Sequence, residues 1–285
     1  MSQPLLFGIL NITEDSFSDG GRFLAPDAAL DQAERLIGDG ADVLDLGGAS
    51  SNPDSKAVPV DTEIARLRPI VGEGKKRGWA ISIDSFAPET QRWALGEGVQ
   101  YLNDIQGFPY PDLYPALARS DAKLIIMHSV QESGPAKRIE TDPKTILDRI
   151  AAFFDRRVHA LAKAGIARER LILDPGMGFF LGASPEVSLT VLEGLPEIKA
   201  AFGLPLLVSV SRKGFLRKLT RRAVAEIGPA SLAAELYAAR HGADMIRTHD
   251  PGAIRDALTI WCHIEAREDS VSSRQKRPDK IRQNL

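Results

Sequence analysis

The stretch WAISIDSFAPETQRWALGEGVQYLN, residues 79–103, decides the fold. It opens on a strand-like run, Trp79–Asp84, that ends in a carboxylate, and closes on a second run, Tyr101–Asn103, that ends in an amide. Gly98 sits shortly before the second run, where a helix-terminating glycine belongs. Strand, helix-length connection and further strand make the repeating unit of a parallel α/β protein.

The same unit is legible in both directions from there. Runs at Leu5–Leu10, Asp42–Leu46, Lys123–Met127, Leu171–Asp174, Leu206–Val210 and Asp244–Thr248 complete a set of eight. Several are near-continuously apolar, as strands buried on both faces are. Amphipathic segments lie between them, among them Ala28–Gly38, Thr62–Arg77, Lys144–Ala164 and Ser231–His241, and Gly40, Gly165 and Gly242 fall where Gly98 does. Eight alternations favour one (β/α)₈ barrel, with its active site at the C-terminal ends of the strands. The chain's 285 residues suit that, since such barrels commonly fill about 250. A doubly wound dinucleotide fold calls for G-x-G-x-x-G after the first strand, but Gly8 is followed by Ile9-Leu10-Asn11, and no G-x-x-x-x-G-K-[ST] occurs. The barrel is expected over residues 1–266. Residues 267–285, poor in apolar side chains and rich in Arg, Lys, Ser and Asp, read as a disordered tail.

Bulk composition excludes several classes of function. Hydrophobic residues make up 44% and charged residues 26%, as in ordinary globular enzymes. A net charge of −2 gives no electrostatic case for nucleic acid or an anionic membrane. No stretch approaches the roughly 18 apolar residues of a membrane span. Met1-Ser2-Gln3-Pro4 runs straight into the first strand without the charged and apolar regions of a signal peptide. Cys262 is the only cysteine, which rules out an intrachain disulfide and suits a reducing compartment. It reads as a small buried side chain in the last helix. A cytoplasmic enzyme is expected.

Polar residues follow nearly every strand: Asn11, Asp45, Asp84, Asn103 with Asp104, His128, Asp174, Lys213, and Arg247 with His249. Singly, an Asp after a strand is more often a helix N-cap than a catalyst. Collectively they mark one rim. The set lacks a Ser–His–Asp arrangement and a Cys/His metal cluster. Asp84, Asn103 and Asp174 suit a ring edge that donates and accepts hydrogen bonds, such as an aminopyrimidinone. Arg247 can stack on such a ring. Asn11, His249 and the helix start after Pro251 suit an anion. Together they describe a planar heterocycle carrying a phosphate group.

Ordered motifs add a resemblance. Phe7-Gly8-Ile9-Leu10-Asn11-Ile12-Thr13-Glu14-Asp15-Ser16-Phe17-Ser18-Asp19-Gly20-Gly21 resembles the opening signature of the dihydropteroate synthases. So do Asp45-Leu46-Gly47-Gly48, Ile83-Asp84-Ser85, Leu102-Asn103-Asp104-Ile105, Asp174-Pro175-Gly176-Met177-Gly178-Phe179, Ser211-Arg212-Lys213 and Arg247-Thr248-His249, over about residues 5–265. The resemblance implies a barrel, usually homodimeric, that uses Mg²⁺ and (hydroxymethyl)dihydropterin diphosphate. It implies that Asp84, Asn103, Asp174 and Lys213 hold the pterin and that Arg247 stacks on it. Asn11 would face Mg²⁺, and Asn11, Arg247 and His249 the diphosphate. Asp15, Phe17 and Asp19 fall on a first loop that looks like the family's mobile loop over the p-aminobenzoate site. Gly20 and Gly21 would let that loop move.

The chain departs from the family pattern in four places. Ala49-Ser50-Ser51-Asn52-Pro53 stands where many members have Glu-Ser-Thr-Arg-Pro, so the second-loop Arg is missing. Ser129 follows the fifth-strand His where Met is common, and Gly214 follows Lys213 where Ser is common. Phe179-Phe180-Leu181-Gly182 replaces Phe-Gly-Lys with about two extra residues. These features resemble the sulfonamide-resistant subgroup, with Ser51, Phe179, Phe180 and Gly214 added to Asp15, Phe17 and Asp19 around p-aminobenzoate. The implied reaction is S_N1-like, with Asp84 and Asp174 stabilising developing positive charge and Lys213 orienting the pterin. The rivals are a pterin-dependent methyltransferase barrel, which needs a corrinoid partner domain, and a pterin-binding protein that has lost catalysis.

Overall fold

The computed structural model describes residues 3–13, 26–49, 57–131 and 139–275. The apolar runs become eight strands: β1 (Leu5–Asn11), β2 (Val43–Gly47), β3 (Ile81–Asp84), β4 (Tyr101–Asp104), β5 (Lys123–Met127), β6 (Leu171–Asp174), β7 (Leu207–Val208) and β8 (Met245–Thr248). All pair in parallel, in the order β6-β5-β4-β3-β2-β1-β8-β7. A parallel bridge between Leu173 and Leu206 brings β6 against the entry to β7 and closes the ring. The chain is a (β/α)₈ barrel.

The helices outside the ring are α1 (Pro26–Gly38), α2 (Val60–Arg77), α3 (Pro88–Glu97), α4 (Tyr114–Arg119), α5 (Ile146–Lys163), α6 (Pro185–Glu193), α7 (Leu195–Phe202), α8 (Gly214–Thr220), α9 (Gly228–Arg240) and α10 (Pro251–Gln275). The stripe on α5 shows why they pack: Ile146, Ile150, Phe154, Val158 and Leu161 recur at three- and four-residue spacing and are all buried. Two helices, α6 and α7, follow β6. Gly194 joins them, and a Cβ there would meet Leu147 Cδ2 at 2.7 Å.

Strand alternation splits the core into two layers. Leu6, Leu10, Leu44, Leu46, Leu102 and Leu124 point out toward the helices, whereas Phe7, Val43, Tyr101, Ile125, Ile172, Leu207 and Met245 fill the lower interior. At the strand entries, polar side chains hold backbone N–H groups. Leu6 N donates to Asp42 Oδ2 at 2.7 Å, Leu206 N to Asp244 Oδ2 at 2.8 Å, and Ile81 N to Gln100 Oε1 at 2.8 Å. That face therefore serves stability.

Three sequence expectations shift. β7 is confined to Leu207–Val208 rather than Leu206–Val210. Cys262 lies in the last helix as expected, but only partly buried. That helix, α10, runs past the boundary placed at residue 266 and reaches Gln275.

Candidate active site

The interior series continues upward with period two, and its character changes. Two positions above Val43, Tyr101, Ile172 and Met245 come Asp45, Asn103, Asp174 and Arg247, while Asp84 ends β3. Four carboxylate or amide groups and a guanidinium thus converge above an apolar plug. Asp45, Asn103 and Asp174 are buried, and Asp84, Lys213 and Arg247 partly so.

Arg247 ties this layer together. Its Nε donates to Asp45 Oδ2 at 2.5 Å and its Nη2 to Asp84 Oδ2 at 2.6 Å. Burial opposes the Arg247 charge, but Asp45 and Asp84 outweigh it and hold the pKa above its ordinary value. Burial pushes Asp84 up to about 7 against the pull of Arg247, and Asp174 up to about 6 although Gly176 N donates to it. Lys213 is pushed down to about 8 by burial and by Arg247. Asp45 Oδ1 and Asn103 Oδ1 are buried without a hydrogen-bond partner among the described residues. Buried polar atoms are almost always paired, so orphans at the mouth of a barrel mark where a polar ligand docks. Asp104, adjacent to Asn103, is different: Gln91 Nε2, Gln106 N and Phe108 N all donate to it, which makes it a loop anchor.

The turn after β6 carries the aromatic wall. Gly176 has φ +73°, and a Cβ there would lie 2.2 Å from His128 O, so the position admits only glycine. His128 is kept neutral, its pKa lowered to about 4 by burial, and its Nδ1 lies 3.1 Å from Pro175 O, so that nitrogen carries the hydrogen. His128 thereby holds the Asp174-Pro175-Gly176 turn. Beyond it Phe180 is 8% exposed and packs with Ile105 and Met127, while Phe179 is only partly buried. Lys213 Nζ lies 5.4 Å from the centre of the Phe180 ring. A Cβ on Gly214 would meet Phe179 Cζ at 3.4 Å.

On the opposite side a cleft of about 580 Å³ opens between the ends of β1 and β8 and α1, lined by Asn11, Gln32, Arg35, Asp39, Arg212 and His249. Burial lowers His249 to about 3, reinforced by Arg212, Arg247 and Lys213. Arg212, Arg247 and Lys213 act on this neutral imidazole, while Asp39 and Asp250 share the cleft lining.

The family described as pterin binding enzyme matches residues 7–249. The dihydropteroate synthase type-2 of Escherichia coli is 59% identical over 261 residues, which are 92% of this chain and 96% of that one. The chain belongs to the dihydropteroate synthases. A second Escherichia coli relative, dihydropteroate synthase type-3, is 52% identical over 255 residues, 90% of this chain and 97% of its own. Among solved structures, the dihydropteroate synthase of Xanthomonas albilineans with 4-aminobenzoic acid superposes with a TM-score of 0.84 at 35% identity, covering 93% of this chain and 94% of that one.

In this dihydropteroate synthase Asp84, Asn103, Asp174, Lys213 and Arg247 meet at one mouth, with Asn11 and His249 on the adjoining cleft. Phe179, Phe180 and Gly214 form a neighbouring wall. Asp15, Phe17, Asp19 and Ser51 lie outside the described residues. The sequence expectations left out Asp45 as a partner of Arg247, although its strand-end position was visible. They also left out Glu63 and Glu235, two buried helix carboxyls that only tertiary contact identifies.

Proposed function

We propose that this dihydropteroate synthase condenses (hydroxymethyl)-7,8-dihydropterin diphosphate with p-aminobenzoate and releases diphosphate. The convergence of Asp84, Asn103, Asp174 and Arg247 on one mouth, with the buried Asn103 oxygen left unpaired, supports it. Asp84, Asn103 and Asp174 hold the pterin edge, Lys213 orients the ring, and Arg247 stacks on its face. The exocyclic C–O bond breaks with its electron pair going to diphosphate. The amine nitrogen then bonds to that carbon and loses a proton. Asp84 and Asp174 stabilise positive charge on the pterin between these events, the electrostatic role of fixed charge at a developing ion. An arylamine needs no strong base to attack such a cation.

Asn11, Arg247 and His249 hold the diphosphate. Asn11, on a cleft whose lining includes Asp39 and Asp250, would contact Mg²⁺, which takes few protein ligands alongside substrate phosphates and water; no cluster of three or more His, Cys, Asp or Glu among the described residues would hold the ion by itself. Bound there, the ion would neutralise the leaving diphosphate. Incubation with pterin diphosphate, Mg²⁺ and p-aminobenzoate should yield dihydropteroate; pterin binding without product would sink the reading.

We further assign the enzyme to the cytoplasm, as a homodimer that is insensitive to sulfonamides. Its Cys262 thiol is free, and no described helix is long and apolar enough to cross a membrane. Ile260, Trp261 and Ile264 are exposed within two turns of α10, an apolar face of the kind a second copy covers. Phe179 against Gly214, and Phe180 against Lys213, place aromatic bulk beside the pterin residues.

A further inference from the structure

On α9, Ser231 and Glu235 are four residues apart, on one face, and both buried. They face the turn after β7 and the end of β8, the two segments that carry Lys213, Arg247 and His249. Ser231 Oγ accepts from Arg212 N at 3.0 Å and so holds a residue whose φ is +56°. Glu235 meets the hydroxyls of Thr248 and Ser211, and its Oε1 is left without a partner. No step of the condensation uses this carboxyl.

The protons around it are few enough to count. Thr248 Oγ1 accepts from Asp250 N at 3.1 Å, so its own hydrogen is free for Glu235. Ser211 Oγ accepts from His249 N at 3.2 Å and lies 3.1 Å from His249 Nδ1. A hydroxyl has a single hydrogen to give. Two acceptors compete for the one on Ser211, the Glu235 carboxylate and His249 Nδ1. When Glu235 is charged it takes that hydrogen, and Nδ1 must carry its own hydrogen to bond Ser211. Nε2 is then a bare acceptor. When Glu235 is uncharged, Ser211 donates to Nδ1 and the ring hydrogen resides on Nε2.

We propose that Glu235 is a positioning residue for the diphosphate end of the site: through the one hydrogen of Ser211 it decides which nitrogen of His249 is a donor. It rests on the reading of His249 as a diphosphate contact. An anion prefers N–H to a lone pair, so uncharged Glu235 gives the binding form. Burial raises Glu235 to about 7, against Thr248 and Ser211; among its neighbours Asp250 raises it and Arg212 lowers it. The switch therefore falls within the working pH range. Burial, reinforced by Arg212, Arg247 and Lys213, keeps the His249 imidazole neutral, so only one nitrogen bears a hydrogen and its location matters.

Glu235→Gln fixes the uncharged state, because its amide donates to Ser211 and drives the hydroxyl toward Nδ1. Calorimetry with inorganic diphosphate and Mg²⁺ reads the effect at about pH 6 and about pH 8.5, either side of the Glu235 transition. Diphosphate itself titrates, so the ratio of wild-type to variant Kd is compared at each pH. That ratio should lie near one at the lower pH and rise to about tenfold at the higher, the size of one charge-assisted hydrogen bond. In a His249→Ala background it should stay near one at both. Binding of a pterin without phosphates should be equal throughout. Ser211→Ala, which removes the shared hydrogen while leaving the Glu235 carboxyl in place, should also abolish the wild-type pH trend. A ratio that does not move with pH, or one that moves equally without His249, overturns the inference and leaves the proposed reaction standing. Failure of the wild-type enzyme to bind diphosphate at all would overturn both.

Discussion

Arg247 donates from Nη2 to Asp84 Oδ2 at 2.6 Å, across strands that are far apart in sequence but share the barrel mouth. The same guanidinium is anchored behind by Asp45, whose side chain is fully buried. Asp45 therefore sets the height and angle of Arg247, and through it the charge state of Asp84. Asp45→Asn should keep the fold yet lower kcat/KM by about ten- to a hundredfold, as expected for one charge-assisted hydrogen bond. Melting curves and turnover measured together check this. An unchanged kcat/KM would show that Asp45 serves only the barrel.

Asp84→Asn and Lys213→Ala should each lose most activity while melting close to wild type. Asp84 is the last residue of β3 and Lys213 lies between β7 and α8, at the rim where barrel residues serve function more than stability. Equal loss of activity and melting temperature would make them structural residues instead.

Pterin affinity should rise and then fall with pH. Asp84 and Asp174, lifted by burial to about 7 and about 6, must ionise to accept from the pterin edge, and this gives the rising limb. Lys213, lowered by burial to about 8, loses its charge on the falling limb. The limbs belong to the coupled group rather than to single residues. Lys213→Gln should remove the falling limb in a pteroate titration. Its persistence would assign that limb to another group.

Folding stability carries a related sign. Glu235 is raised from 4.5 to about 7, chiefly by burial, so the folded state holds a proton that the unfolded chain releases. Its contribution is fully present below 4.5 and is lost as pH rises through about 7. Glu235→Gln should thus melt at the wild-type temperature near pH 4 and a few degrees higher near pH 8, since about 1 kcal/mol moves a chain of this size by roughly 2–4 °C. A gain of equal size at both pH values would point to altered packing alone.

Much of this arrangement is legible in the sequence. Alternation along Asp42–Leu46 and Tyr101–Asn103 already separates helix-facing leucines from inward polar residues, because a strand's period is two whatever surrounds it. Loop chemistry at Asp174-Pro175-Gly176 was equally plain. Glu235 was not. Within Ser231–His241 it reads as one more charge on an amphipathic helix, and only the packing of α9 against Ser211 and Thr248 reveals that its carboxyl is buried. The pairing of Phe179 with Gly214 is likewise tertiary, since the two residues come from different βα loops.

The face formed by Ile260, Trp261 and Ile264 bears on assembly. Ile260 is 63% exposed and Ile264 52%, one turn apart on α10. Trp261 is partly covered by the Arg240 guanidinium, 5.3 Å from its ring. Ile260→Glu with Ile264→Glu should turn a dimer into a monomer by light scattering. A dimer that persists places the interface elsewhere.

Discrimination against sulfonamides should reside in the loop Phe179-Phe180-Leu181-Gly182. A sulfonamide copies the aniline end of p-aminobenzoate but replaces its flat carboxylate with a tetrahedral sulfonyl that usually carries a further ring. An enzyme can reject it without harming its substrate only by filling space the substrate never enters. Phe180 is the better-buried of the two rings and supports Lys213, whereas Phe179 is partly open and leans on Gly214. Removing Phe180 with one neighbour should shorten the turn and draw Phe179 away from Gly214. A clash of about 3–4 kcal/mol corresponds to roughly two to three orders of magnitude in relative affinity. The deletion variant should recover sulfonamide inhibition on that scale, with a much smaller change in KM for p-aminobenzoate. An active deletion variant whose ratio of sulfonamide Ki to that KM stays put would move the discrimination to Gly214 or to Ser51-Asn52.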